Sequence, residues 1–262
     1  MQIDLSNKVA LVTGASQGIG FSIAKMLAQQ GCHLIITSSN QQLLQQAEQA
    51  IAAHSKGKVT AIVGDVMDAD TPARIVQVAL EQYGRIDILV NNVGGTGRVV
   101  GFEESTRDDW MDGFQLNVMS AVGFTQAVLP AMKAQQWGRL IFLSSEVAVK
   151  PGMIMAHYCT TKAAISCLTK ELANEMGQFN ITVNSVAPGV IPTPSWDGGA
   201  EAMGVTREEF AATYCQNIMG EGALGHVDDV AAQVCFLCSD HARWITGANH
   251  RVDGGSVPFV QN

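Results

Sequence analysis

Short apolar runs alternate with longer helical segments along almost the whole chain, and no other feature constrains the fold as strongly. The runs lack a strict polar and apolar alternation, as expected for strands that helices cover on both faces. Strands are predicted at Val9–Thr13, Leu34–Thr37, Val59–Val63, Ile88–Asn91, Leu140–Ser144, Thr182–Ala187 and about Ala248–Val252. Helices are predicted at Gly18–Gln30, Gln41–His54, Thr71–Tyr83, Asp108–Gln135, His157–Gly177 and Val227–Ser239. The pattern predicts a single-domain α/β fold with a doubly wound parallel sheet of about seven strands.

The composition suits one compact domain over residues 1–262, with 47% hydrophobic and 15% charged residues. A net charge of -8 without a cluster of basic residues disfavours a nucleic-acid partner. The chain contains no run of 18 apolar residues, and its first residues carry no basic segment followed by an apolar run. We therefore expect a cytoplasmic protein. Cys235-x-x-Cys238 has no second pair, so buried thiols and no bound metal are expected.

One long interruption, from about residue 190 to 222, separates the last two predicted strands. Prolines and glycines surround a helix-prone stretch at Arg207–Gln216. A segment of this length inside a compact domain is usually functional. Its apolar residues favour a lid that covers a substrate: Trp196, Met203, Phe210, Tyr214, Ile218 and Met219.

Tyr158 and Lys162 lie four residues apart in a predicted helix, thirteen residues after Ser145. This spacing places both side chains on one helix face, where an ammonium lowers the pKa of a phenol. Acid/base work near neutrality needs a shift of about 3 units, or about 4 kcal/mol. Alone the pair is a weak signal, because two residues on a solvated helix face share the spacing.

A glycine-rich turn follows the first predicted strand and opens the first helix. It reads Thr13-Gly14-Ala15-Ser16-Gln17-Gly18-Ile19-Gly20. Glycines there let backbone N–H groups approach a pyrophosphate at the positive end of a helix. An ordinary strand-to-helix turn is the alternative. The position favours a dinucleotide site of the Rossmann type.

Further motifs continue this order along the chain. Asp65, Asn91-Asn92-Val93-Gly94, Asn117 and Pro188-Gly189 with Thr193 accompany the glycine turn, Ser145 and Tyr158-x-x-x-Lys162. In order and spacing the sequence resembles the classical short-chain dehydrogenase/reductase family over nearly its whole length. The resemblance implies an NAD(P)-dependent oxidoreductase that transfers hydride between a nicotinamide cofactor and a small carbonyl or secondary alcohol. It also implies a homotetramer or homodimer.

The resemblance implies four catalytic residues, Asn117, Ser145, Tyr158 and Lys162. Tyr158 would exchange a proton with the substrate oxygen that Ser145 holds. Lys162 would lower the phenol pKa and bind the nicotinamide ribose together with Tyr158, while Asn117 would hold a water in a proton relay. The other implied cofactor-binding residues are Gly14, Ser16, Gln17, Gly18, Ile19, Gly20, Asp65, Val66, Asn91, Gly94, Pro188, Gly189, Ile191 and Thr193.

The choice between NAD and NADP depends on charge near the adenosine 2′ position. Ser38 stands where NAD-preferring relatives commonly carry Asp, and Ser39 where NADP-preferring relatives often carry Arg. Gln17 replaces a basic residue that many NADP-dependent relatives have. Because no carboxylate would repel a 2′-phosphate, we expect NADP to be preferred. Capping of the helix at Gln41 is the alternative role of the serines.

Three residues are candidate substrate contacts: Glu146, directly after Ser145, and Trp196 and Tyr214 in the predicted lid. The subfamily of 3-oxoacyl-[acyl-carrier-protein] reductases is the alternative function. It commonly has basic residues ahead of the fifth and sixth strands, where this chain has Gln135-Gln136-Trp137 and Gln178-Phe179-Asn180. Steering of an acidic carrier is then poor, so we expect a free small molecule. A non-catalytic NAD(P)-binding sensor is less favoured because the four catalytic positions are intact.

Overall fold

The computed structural model describes residues 2–152, 154–214, 219 and 224–258, and its strands form one seven-stranded sheet. The strands are β1 Val9–Thr13, β2 His33–Ser38, β3 Val59–Val63, β4 Ile88–Asn91, β5 Gly138–Leu143, β6 Ile181–Pro188 and β7 Asn249–Val252. Their order is β3-β2-β1-β4-β5-β6-β7, and every neighbouring pair is parallel. The predicted Rossmann-type fold is confirmed.

Most of the described helices lie close to their predicted bounds. They are α1 Gly18–Gln29, α2 Gln41–Ala52, α3 Thr71–Tyr83, α4 Arg107–Phe114, α5 Ser120–Gln135, α6 Ala156–Met176, α7 Asp197–Met203, α8 Arg207–Ala212 and α9 Val227–Cys238. Both faces of the sheet are buried beneath them. Along β1, Ala10 and Val12 pack with α1, α2 and α9, whereas Val9 and Leu11 pack with α3, α5 and α6. Burial on both faces explains why the strands are continuous apolar runs.

The strand order reverses at β1. Strands β2 and β3 lie on one side of it, and β4 to β7 lie on the other. The connections after β1 and β4 therefore diverge and leave a crevice at the carboxyl ends of these two strands. The glycine turn and the Asn91–Gly94 segment both begin at this edge.

The helix predicted at Asp108–Gln135 is interrupted. A π-helical turn at Gln115–Met119 joins α4 to α5. Asn117 lies in this turn, and its Nδ2 donates to the Gly113 carbonyl oxygen at 3.0 Å. Such turns insert one residue into a helix and occur mostly at functional sites. The residues remain helical throughout, so the sequence pattern does not reveal the interruption.

The predicted lid contains two short helices in its described part. Arg207 at the start of α8 forms an ion pair with Asp197 at the start of α7, with 2.5 Å between Nε and Oδ1. Helix α7 was not predicted because Gly198 and Gly199 lower its helix propensity. Residues 215–218 and 220–223, with the predicted apolar residue Ile218, lie outside the described residues.

Cys235 and Cys238 are buried in α9, as predicted. In the part of the chain that the structure describes, no group of His, Cys, Asp and Glu side chains could hold a metal ion. None of the described helices is long and apolar enough to cross a membrane. The cytoplasmic location stays a prediction.

Candidate active site

The glycine turn after β1 is held by Asn92, which follows β4. Its Nδ2 donates to the carbonyl oxygens of Thr13 at 2.9 Å and Gly14 at 3.1 Å. A Cβ at Gly20 would lie 2.4 Å from the same nitrogen. Gly14 and Gly18 have left-handed φ angles of 63° and 59°. The turn therefore needs glycine for two reasons, close approach and backbone conformation.

The first turn of α1 is open to an anion. Its N-cap residue Gln17 makes no side-chain cap hydrogen bond, and the turn contains no acidic residue. Amide groups at a helix start have no intrahelical acceptor and favour negative charge. Thr193 packs beside this turn, since a Cβ at Gly18 would lie 3.5 Å from the Thr193 Cβ. This cradle fits the pyrophosphate of a dinucleotide.

Serine hydroxyls lie together beyond this cradle, at the ends of β1 and β2. Ser16 Oγ donates to Ser38 Oγ at 3.0 Å, and Ser39 is exposed. The N-cap of α2 is Asn40, whose side chain accepts from the Leu43 backbone N–H at 3.0 Å. The capping alternative for the serines is therefore wrong, and their hydroxyls can serve a ligand.

Asp65 is exposed after β3, where its Oδ1 accepts from the Met67 backbone N–H at 3.0 Å. Three other predicted cofactor residues, in contrast, turn their side chains into the interior. Val66 and Ile191 belong to the two hydrophobic clusters, and Asn91 Nδ2 donates to Thr125 Oγ1 at 3.1 Å. Any contact of these three with a dinucleotide must run through the backbone.

Asn117 ties the segment after β4 to the π turn. Its Nδ2 donates to the Gly95 carbonyl and its Oδ1 accepts from the Gly95 N–H, both at 3.0 Å. A Cβ at Gly94 would lie 2.6 Å from Asn117 Oδ1 and 2.9 Å from Lys162 Nζ. Both Nδ2 hydrogens of Asn117 are thus donated to backbone carbonyls, Gly95 and Gly113. The predicted relay water stays a prediction. Of the two polar side-chain atoms of Asn117, only Oδ1 can still form a hydrogen bond with such a water, as an acceptor.

Lys162 is buried with 3% of its surface exposed, and its Nζ donates to the Leu143 carbonyl at 2.8 Å. Ser144 fixes the same turn of α6, because its Oγ donates to the Lys162 carbonyl at 3.1 Å. Burial lowers the pKa of Lys162 to about 8. An ammonium has three donors, so Nζ can also bind a ribose hydroxyl.

Burial raises the pKa of Tyr158 to about 12, and a hydrogen bond with the Ser145 hydroxyl opposes this shift. Lys162 Nζ lies 5.7 Å from the centroid of the Tyr158 ring and donates to Leu143 instead. In the protein alone the pKa of Tyr158 is therefore not below its ordinary value, and its lowering by Lys162 stays a prediction for the complex with a cofactor. Desolvation of the phenolate is the larger effect, so Tyr158 keeps its proton at neutral pH.

His157 precedes Tyr158 on α6 and is a packing residue. It is 2% exposed, its Nε2 donates to the Thr96 carbonyl at 2.9 Å, and the Trp110 ring packs against it edge-on. Through Thr96 it holds the segment after β4. His157 therefore supports the site without facing a substrate.

The end of β6 is covered by the C-terminal turn, residues 253–257. Gly189 N–H donates to the Val252 carbonyl at 3.0 Å, and a Cβ at Gly189 would lie 2.8 Å from the Asp253 Cα. On its other side the turn meets Glu146, whose carboxylate accepts a hydrogen bond from the Ser256 hydroxyl. Glu146, a predicted substrate contact, thus has a protein partner.

Trp196, Phe210 and Tyr214 form an aromatic cluster in the predicted lid. Their ring centroids lie 5.4 to 5.9 Å apart, and each pair packs edge to face. The cluster joins the segment before α7 to α8. Substrate contact by Trp196 and Tyr214 stays a prediction.

The short-chain dehydrogenase family model matches residues 8–203, and the chain belongs to this family. It is an oxidoreductase of the type that uses a nicotinamide cofactor. Among its relatives, the Escherichia coli oxidoreductase UcpA is 35% identical over 256 residues, which cover 97% of this chain and 95% of UcpA. Human dehydrogenase/reductase SDR family member 4 is 35% identical over 252 residues, covering 96% of this chain and 88% of the relative.

A solved structure shows the same fold over the whole chain. L-sorbose reductase from Gluconobacter frateurii, complexed with NADPH and L-sorbose, superposes with a TM-score of 0.93 at 30% identity. The match covers 99% of this chain and 100% of the reductase.

Proposed function

We propose that this protein reduces the carbonyl group of a small, free molecule with NADPH. The observation that carries the proposal is the cluster of Ser145 and Tyr158 hydroxyls beside the buried Lys162 ammonium. At neutral pH Tyr158 carries its proton, which is the form that the reduction of a carbonyl requires. The reverse reaction, oxidation of a secondary alcohol, uses the same groups.

The chain supplies the positioning and the proton. Ser145 holds the substrate oxygen through its hydroxyl, and Tyr158 donates its phenolic proton to that oxygen. A bound nicotinamide cofactor supplies the hydride to the carbonyl carbon. The oxygen that becomes an alkoxide is a stronger base than a phenolate, so the proton moves downhill. Lys162 stabilises the phenolate that Tyr158 becomes.

Ser16, Ser38 and Ser39 support the choice of NADPH. Their hydroxyls provide neutral donors near the end of β2, and no acidic side chain stands at Ser38 to repel a 2′-phosphate. The G. frateurii reductase is described with NADPH. A ratio of NADPH to NADH efficiency above one is the expected result.

We further infer that residues 190–222 act as a substrate lid on the single domain and that the chain forms a homotetramer or homodimer. Exposed apolar side chains support the assembly: Met111 on α4, Met119 in the π turn and Trp244 before β7. An isolated chain would leave these side chains in water. Light scattering of the purified protein measures the assembly.

The decisive experiment is a panel of carbonyl compounds and secondary alcohols assayed with NADPH, NADH, NADP and NAD. Small ketones and keto sugars, L-sorbose included, are compared with 3-oxoacyl groups on an acyl carrier protein. Turnover of a free carbonyl compound supports the proposal. Turnover of the carrier-bound substrates alone would establish the 3-oxoacyl reductase, and tight NADPH binding without any turnover would establish the sensor.

A further inference from the structure

Two side chains of the loop that carries Ser145 hold one residue of the C-terminal turn. The Glu146 carboxylate accepts from the Ser256 hydroxyl, and Lys150 Nζ donates to the Ser256 carbonyl at 3.0 Å. Both belong to one helical turn, in which the Lys150 N–H donates to the Glu146 carbonyl at 2.9 Å. Ser256 is only 5% exposed. Its hydroxyl and carbonyl are thus bound from one side by two opposite charges.

The turn itself is closed by Asp253. One carboxylate oxygen accepts from the Gly255 N–H at 3.1 Å, and the other accepts from the Val257 N–H at 3.3 Å. The Ser256 N–H donates to the Asp253 carbonyl at 3.1 Å. A displacement of Ser256 would therefore move Asp253 with it.

Asp253 lies directly on the end of β6. Gly189 has no room for a Cβ there, since it would lie 2.8 Å from the Asp253 Cα. The C-terminal turn thus fills the space between the loop of Ser145 and the Pro188–Gly189 backbone. By the proposed function, the loop of Ser145 holds the substrate oxygen and the Pro188–Gly189 backbone borders the nicotinamide ring.

We propose that Glu146 is a positioning residue: together with Lys150 it holds the C-terminal turn as a spacer between the Ser145 loop and Gly189. This inference rests on the proposed function, because it assigns the spacer the task of aligning the substrate carbonyl with the nicotinamide. Glu146 then acts through Ser256 and needs no contact with the substrate. Misalignment by about 1 Å is enough to cost up to 100-fold in rate.

The test compares Glu146→Ala, Ser256→Ala and Glu146→Gln with wild type. Both alanine variants are expected to lower kcat about ten-fold while the KM for the carbonyl substrate and the Kd for NADPH change less than about two-fold. The double variant should be no slower than either single one, because both remove one interaction. Glu146→Gln should recover most of kcat, since its amide oxygen still accepts from Ser256.

Hydrogen exchange of the Gly255 and Val257 amides provides a readout that needs no turnover. Both alanine variants should lose protection there, whereas Glu175→Ala, which removes an exposed carboxylate of α6, should not. If the wild-type protein reduces no carbonyl compound, the proposed function is overturned, but hydrogen exchange still tests whether Glu146 holds the spacer. Three results would each overturn the positioning role. They are a KM that rises in Glu146→Ala but not in Ser256→Ala, kcat losses that add up in the double variant, and hydrogen exchange at Gly255 and Val257 that does not change.

Discussion

The two ends of the crevice are built on different principles. At the reactive end two of the proposed catalytic side chains are buried and bound to backbone atoms, Lys162 to Leu143 and Asn117 to Gly95. At the adenosine end, Ser16 and Ser38 are half-buried hydroxyls whose partners are chiefly each other. Buried bonds to backbone fix a single geometry, whereas half-exposed hydroxyls can rearrange around a ligand. Substitutions should therefore abolish turnover at one end and redirect cofactor choice at the other.

The largest effect is expected from Tyr158→Phe. Loss of the proton donor should lower kcat by about 1000-fold, within the range typical of general acid catalysis. The Kd for NADPH, measured by fluorescence titration, should stay within about two-fold because the ring remains in place. Turnover close to that of wild type would show that another group donates the proton.

Lys162→Met should lower turnover by about 100-fold and, at the same time, stabilise the protein. Burial pulls the Lys162 pKa from its ordinary value of 10.5 down to about 8, so the charged form is disfavoured in the folded state. That cost is fully present below pH 8 and fades as the pH rises toward 10.5. Methionine removes it, which corresponds to a gain of up to about 3 kcal/mol at pH 7.

Urea unfolding of wild type and Lys162→Met at pH 7 and at pH 9.5 measures this gain. The difference in the free energy of unfolding should be larger at pH 7 than at pH 9.5. An equal difference at both values would mean that folding does not lower the pKa of Lys162.

Asn117→Ala should have an intermediate effect. It removes three hydrogen bonds to Gly95 and Gly113, which should cost about 1 to 3 kcal/mol of stability. Since Gly95 follows the Gly94 backbone that Lys162 approaches, turnover should fall about ten-fold. Circular dichroism and steady-state kinetics report the two losses. Full activity with an unchanged melting temperature would show that the π turn holds its shape without this side chain.

The smallest loss of turnover is expected at the adenosine end, from Ser38→Asp. A carboxylate there repels a 2′-phosphate and accepts from free ribose hydroxyls, so the ratio of NADPH to NADH efficiency should fall by about ten-fold or more. Turnover at saturating NADH should stay close to that of wild type. Ser38→Ala is the neutral control, and a similar shift in that variant would exclude charge as the cause.

The sequence was sufficient for the strand positions and for the spacing of the proposed catalytic residues. Strands buried on both faces leave continuous apolar runs, and a helix turns four-residue spacing into proximity, as with Tyr158 and Lys162. Both rules are local, so neither depends on knowledge of the rest of the fold.

The remaining features depend on contacts between distant segments. The sequence does not single out Asn92 within the Asn-Asn-Val-Gly motif, because its bond to Gly14 exists only once β1 and β4 are neighbours. The inward side chain of Asn91 has the same origin. The raised pKa of Tyr158 reflects burial that spacing cannot express.

The Asn92 amide has a consequence for the adaptability of this enzyme. By binding the backbone after β1, it joins the glycine turn to the Asn91–Gly94 segment after β4, so the two move together. A mutation that reshapes the pyrophosphate cradle would also displace the reaction centre, whereas Ser38, at the end of β2, contacts the turn through the half-buried Ser16 hydroxyl, which can rearrange. Single substitutions can therefore change the cofactor preference without disturbing the reaction centre only at the adenosine end of the crevice.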